Sequence, residues 1–177
     1  LGSRHYQRTR GAGLQWIWAN RAGSWLASAD LTHIDYFTQP AQNSFVRDAG
    51  LLYERRLDAA TAVSGGASVL FDKATDGRPG GNRTGYQLQS TAVLTRSGWR
   101  YRPQVSYTYW TSADVFAAGL IDVRRRDELW QVVFQAEKPI SARTSLVFEW
   151  RGRWARDTVV LYAYKAQTFT MTLVRRF

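Results

Sequence analysis

The stretch Gln167-Thr-Phe-Thr-Met-Thr-Leu-Val-Arg-Arg-Phe177 decides how this chain is read. Phe169, Met171, Leu173, Arg175 and Phe177 alternate with Thr168, Thr170, Thr172, Val174 and Arg176. A β-strand sends successive side chains to opposite faces. One face of this stretch is therefore largely apolar and the other largely polar. The stretch also stops on an aromatic residue, where soluble domains usually fray in polar ones.

The same period of two recurs upstream. Leu14, Trp16 and Trp18 alternate with Gln15, Ile17 and Ala19, and Trp25, Ala27, Ala29 and Leu31 with Ser28, Asp30 and Thr32. Ala49, Leu51, Tyr53 and Leu57 form the next set, then Val63, Ala67, Val69 and Phe71. Tyr86, Leu88, Ala92 and Leu94 follow, then Trp99, Tyr101, Val105, Tyr107 and Tyr109. Trp130, Val132, Phe134 and Ala136 precede Leu146, Phe148, Trp150 and Trp154. Short turns are expected at Asn20–Ser24, Asp58–Ala60, Arg96–Gly98 and Lys138–Ala142. Longer connections are expected at Thr38–Val46, Lys73–Thr84, Ser112–Arg126 and through Arg156 into the last strand, with a bulge or loop at Tyr162 and Tyr164. The pattern predicts about nine strands of roughly 8–13 residues, and a helical period is absent.

Composition narrows the class. The chain has 177 residues, enough for one domain, read as a single unit over 1–177 with a basic, irregular segment at 1–10. No run reaches the roughly 18 apolar residues of a membrane-crossing helix. Aromatic residues make up 14% and collect at predicted strand ends, as at two interfaces of a bilayer. Cysteine is absent, so thiol and disulfide chemistry are excluded. The formal charge of +10 suits nucleic acid, anionic headgroups or an acidic substrate, and its spread over several segments argues against a single nucleic-acid groove.

The alternating C-terminal stretch with its final Phe177 resembles the closing strand of bacterial outer-membrane β-barrels. The end of the chain from Asp157 resembles barrels that follow tetratricopeptide repeats, which serve in polysaccharide export or surface-lipoprotein delivery. Arg175 departs from that pattern. The resemblance implies an all-β, antiparallel transmembrane barrel in the outer membrane of a Gram-negative bacterium, porin-like, with short periplasmic turns and long outer loops. Nine strands are an odd number for such a barrel. The chain is therefore expected to be the C-terminal portion of a larger one, completed by an upstream segment or another chain. The weaker version is ten strands with a poor first strand at Ser3–Arg10.

The resemblance also assigns site residues. Phe169, Met171, Leu173 and Phe177 become the signal read by the barrel-assembly machinery. Parity turns Arg56, Arg100, Arg102, Arg151, Arg153 and Arg176 toward a lumen, with Asp30, Glu54, Glu137 and Glu149. Arg78, Arg83, Arg124, Arg125, Arg126 and Arg156 fall in or near outer loops, where they are expected to meet lipopolysaccharide phosphates. The function expected is a pore or export conduit for a polar or anionic substrate. The alternative is a non-conducting barrel, braced by crossing salt bridges, that anchors a larger envelope complex. No cofactor or metal is expected, because His5 and His33 are the only histidines. No serine is placed beside His33 and Asp35, so no catalytic residue is assigned and the chain is read as a non-enzyme.

Overall fold

The computed structural model describes residues 7–37, 40–75 and 77–175. The fold is all-β. Nine antiparallel strands form one sheet in chain order: β1 (Gln7–Ala19), β2 (Ser24–Tyr36), β3 (Ser44–Arg56), β4 (Thr61–Ala74), β5 (Arg83–Arg96), β6 (Trp99–Ala117), β7 (Ile121–Ser141), β8 (Thr144–Asp157) and β9 (Tyr164–Arg175). Among the described residues, every strand pairs with its sequence neighbours only. Single-turn 3₁₀ helices occupy Pro40–Gln42 and Val160–Tyr162.

The turns follow from local chemistry. Asn20 Oδ1 accepts from the backbone N–H groups of Ala22 and Gly23 at 2.8 and 3.1 Å, closing the β1–β2 turn. Asp58 Oδ1 accepts from Ala60 N–H at 2.7 Å in the β3–β4 turn. Ser97 and Gly98 both have positive φ, 50° and 72°, which gives the two-residue β5–β6 turn a twist that matches its strands.

The register defines two faces. Across the middle of the sheet, Leu14, Ala29, Ala49, Val69, Tyr86, Tyr109 and Glu128 lie in one row of cross-strand partners. A row lower, Trp16, Ala27, Leu51, Ala67, Leu88, Tyr107, Trp130, Trp154 and Lys165 align. The alternate rows hold most of the polar side chains, for example Ser28, Ser68, Gln87 and Thr108, in one row with Gly50. Parity thus biases the two faces, although Glu128 and Lys165 fall in the apolar rows and Leu70 on the polar face.

Among the described residues no second layer covers the apolar face. Leu14, Trp16, Phe169 and Met171 are 79, 73, 77 and 69% exposed, and no large side chain among the described residues is fully buried. A compact chain of this mass exposes roughly 8,800 Å² by the usual scaling, whereas this one exposes 12529 Å². The excess is the area a sheet ordinarily buries against another layer.

The expected barrel does not form. The sheet is open, with β1 and β9 as its two edges, each having one neighbour. Alternation fixes which residues share a face but is blind to whether the last strand meets the first. Odd-numbered strands of an antiparallel sheet run the same way, so β1 and β9 could meet only as a parallel pair, unlike the other pairs of this sheet. The transmembrane, porin-like reading and the outer-membrane location, both resting on closure, are corrected with it. No helix of the described residues is long and apolar enough to cross a membrane.

Element boundaries differ as well. The expected long connection at 112–126 is mostly strand: β6 and β7 run on as a hairpin to Ala117 and Ile121. The turn between them is closed by Leu120 N–H on Ala117 O at 3.0 Å and by Gly119 N–H on Asp122 Oδ1 at 2.7 Å. Charged residues such as Arg124–Asp127 do not break a strand whose faces meet solvent. Gln7–Arg10, expected to be irregular, open β1 opposite His33–Tyr36. Tyr162 ends the second 3₁₀ turn and Tyr164 opens β9.

Candidate functional site

The longer connections gather at one end of the sheet, and there the polar face closes over a cavity of about 320 Å³. Its lining comes from β2 to β7 and from the connection before β9, and includes Asp72, Arg78, Arg83, Trp110, Arg125 and Tyr162. The register explains the floor: Asp72 stands opposite Arg83 on β5, and Arg83 opposite Ser112 on β6. All three point to the polar face, and Asp72 and Ser112 are buried.

Asp72 organises this end. Its Oδ2 accepts from Arg78 Nη1 at 2.9 Å and from Arg83 Nη2 at 2.5 Å, while the side chain is only 2% exposed. Its Oδ1 is buried with no partner among the described residues. Arg78 is fully engaged, because Nε and Nη2 also donate to Gly81 O at 3.2 and 3.0 Å. That return contact is possible because Gly80 and Gly81 take positive φ, 79° and 64°, and fold the loop back. Arg83 donates to Asp72 through Nε and Nη2 and lies over the Trp110 ring, 5.2 Å from its centre.

A second guanidinium closes the far side. Arg125 Nε donates to the buried Asp157 Oδ2 at 2.7 Å, and Arg125 stacks 4.1 Å above the Tyr162 ring. Asp127, between these groups, has its pKa raised. Burial is the main cause, and Asp157 adds to it against the lowering pull of Arg125 and Arg83. Among the described residues no group of three His, Cys, Asp or Glu could hold a metal ion.

The arginines assigned to outer loops divide between the faces. Arg78, Arg83 and Arg125 converge on the cavity. Arg124, Arg126 and Arg156 have the opposite parity: Arg126 stands opposite Thr111, and Arg156 opposite Glu128, on the apolar side. The residues assigned to a lumen lie on the polar face of the open sheet. Arg100 stands opposite Glu137, Arg102 opposite Gln135, Arg153 opposite Gln131 and Arg56 opposite Ala62. Arg151 Nη2 donates to Glu149 Oε1 at 2.9 Å. Asp30 stands opposite Asp48, and Glu54 opposite Ser64. Arg176 and Phe177 lie outside the described residues, as does His5. Phe169, Met171 and Leu173 share the apolar face of β9, opposite Trp150, Phe148 and Leu146.

No family model matches the chain, and no curated relative does. A solved structure that it resembles weakly is the β domain of the Bordetella autotransporter BrkA. That likeness has 13% identity over 94% of this chain and 76% of the other, with a TM-score of 0.46, and is too slight to argue from. The resemblance to export barrels that follow tetratricopeptide repeats is therefore corrected: the sheet is open and no such family matches. The conduit and its alternative, the anchoring barrel, are corrected on the same ground, since an unclosed sheet encloses no pore.

Sequence reasoning missed Asp72 and Trp110. The signal available was Asp72 at the end of an apolar run, with Arg78 and Arg83 shortly after it and glycines between.

Proposed function

We propose that the chain is a non-catalytic assembly module whose sheet is extended at the β1 edge by β1 of a second copy. One observation carries this reading. β1 is a 13-residue edge strand, exposed along its whole length, with an unpaired side of backbone N–H and C=O groups. Natural edges are blunted by brevity, by Lys, by Pro or by bulges. β1 has no Lys and no Pro, and it is uncharged from Gly11 to Ala19.

The sequence of β1 favours its own copy. Two antiparallel β1 strands related by a two-fold axis at Gly13 overlap from Gln7 to Ala19. Arg8 then stands opposite Trp18 and Arg10 opposite Trp16, all on the apolar face. Each basic half meets an aromatic half, which suits cation–π contact. The axis is perpendicular to the sheet, so both apolar faces lie on one side. The β9 edge is less suited. A two-fold at Thr170 sets Lys165 against Arg175, and opposed like charges destabilise a pair.

Sedimentation in a non-ionic detergent that covers the apolar face tests the proposal. A dimer is expected, with spin labels at Gln15 about 14 Å apart between Cα positions. Trp16→Lys, which brings Lys against Arg10, should weaken the dimer at least tenfold. A monomer at every concentration, or a dimer without the short label distance, would overturn it.

The apolar face favours a second, compatible reading, in which a lipid surface is its partner. Trp18, Trp25 and Tyr53 cluster toward one end of the strands, with ring centres 6.1 and 4.6 Å apart. Tyr107 and Trp130 cluster further along, 4.8 Å apart. Such amphipathic rings suit the boundary between acyl chains and water. Co-sedimentation with phosphatidylcholine vesicles and a blue shift of tryptophan emission are expected. Neither occurring would sink this reading.

A further inference from the structure

We infer that the cavity between Asp72, Arg83 and Arg125 is a binding site for a phosphomonoester carried on a hydroxyl-bearing skeleton, such as a sugar phosphate. Unused N–H groups make the first argument. The lining holds three guanidiniums, Arg78, Arg83 and Arg125, with Asp72 paired to the first two and Asp157 to the third. Arg78 is used up by Asp72 and Gly81. The other two are not. Arg83 Nη1 and both Nη atoms of Arg125 have no partner among the described residues. Arginine kept in place by a carboxylate on one side and an aromatic ring beneath presents its remaining N–H groups at little entropic cost. Arg83 has Asp72 and Trp110 in those roles, and Arg125 has Asp157 and Tyr162. Two such forks approaching from different elements suit a tetrahedral group with three acceptor oxygens.

The second argument is the unsatisfied acceptor. A buried carboxylate oxygen without a partner keeps its desolvation cost uncompensated, and Asp72 Oδ1 is one. It calls for a donor, which phosphate at neutral pH supplies poorly and a hydroxyl supplies well. Ile34, Val46 and Phe116 add an apolar wall for a carbon skeleton. A cavity of about 320 Å³ is at the small end of ligand pockets, which suits a monosaccharide rather than a polymer.

Isothermal titration separates the sources of such a phosphate. The probes are glucose 6-phosphate, inorganic phosphate, glucose, and phosphatidylcholine vesicles with and without phosphatidic acid. Glucose 6-phosphate should bind with a Kd below about 1 mM, inorganic phosphate at least tenfold more weakly, and glucose not measurably. Vesicles that bind more tightly when they carry phosphatidic acid, with glucose 6-phosphate competing away that increment, would make a lipid headgroup the ligand of the same site. Arg125→Lys keeps the charge but loses the fork, and should weaken binding at least tenfold with an unchanged far-UV spectrum. Arg156→Gln, on the other face, should leave binding unchanged. No saturable binding of any phosphate probe would overturn the inference. So would binding that Arg156→Gln lowers as much as Arg125→Lys does.

Discussion

Asp30 and Asp48 are direct cross-strand partners on the polar face, one on β2 and the other on β3. Like charges in that position repel. Burial raises the pKa of Asp48 above its ordinary 3.8, and Asp30 raises it further. A carboxyl whose pKa rises on folding binds its proton more tightly in the folded chain. Stability is therefore lost as pH rises from 3.8 through the raised value. Asp48→Asn should gain about 0.5 kcal/mol at pH 7 and nothing at pH 3. Urea unfolding at both pH values reads this out, and equal gains would show that the carboxylate charge is not the cause.

Asp58 shifts the other way. Its pKa is lowered, first by the Ala60 N–H that it accepts, with smaller help from Thr61 and Arg96. This contribution is present above pH 3.8 and is lost as pH falls through the folded value. Asp58→Ala should destabilise the β3–β4 hairpin at pH 7, seen as faster amide exchange at Ala60 and Thr61. The difference from the parent should shrink below pH 3.8.

Gly66 and Gly85 mark positions where the sheet has no room for a side chain. A Cβ at Gly85 would collide with Tyr109 O, and one at Gly66 would lie 2.6 Å from Leu51 O. Both obstacles are backbone, so the strands themselves must move. Gly85→Ala and Gly66→Ala should each cost about 1–3 kcal/mol. Gly77→Ala, where a Cβ meets nothing within 4 Å but φ is +63°, should cost less, about 1 kcal/mol. Equal losses at all three would mean that crowding is not what selects glycine in β4 and β5.

The faces of the sheet were legible in the sequence because alternation is a local property. Leu14, Leu51, Leu88 and Phe148 sit on the face that their parity indicates. The Arg96–Gly98 turn was legible for the same reason, since Gly98 marks a turn locally, whereas the positive φ of Ser97 was not. Closure was not, because it depends on whether β1 meets β9, and no residue encodes that contact locally. The division of the arginines was legible in principle. Alternation carried back from Trp130 puts Arg126 and Arg124 on one face and Arg125 on the other. Treating 112–126 as a loop suspended that rule where it mattered. Asp72 was hidden differently: its partners come from the loop and from the next strand, brought together by the register.

Asp127 gives the cavity end a pH dependence of its own. Its pKa is raised mainly by burial and then by Asp157, although Arg125 and Arg83 pull it down. By the sign argued for Asp48, it contributes stability while protonated and loses it as pH rises from 3.8 through the raised value. Asp127→Asn removes that loss and keeps the side-chain volume. The variant should be more stable than the parent at pH 7 and indistinguishable from it at pH 3. It also removes a carboxylate whose charge competes for Arg125 and Arg83. Titration of glucose 6-phosphate should therefore tighten by about two- to fivefold at pH 7, in line with the modest worth of one partly exposed charge, and not at all at pH 3. A variant that is stabilised at pH 7 without any change in affinity would show that Asp127 does not share those guanidiniums with a ligand. A variant destabilised at pH 7 would show instead that ionised Asp127 makes a net favourable pair with Arg125 or Arg83.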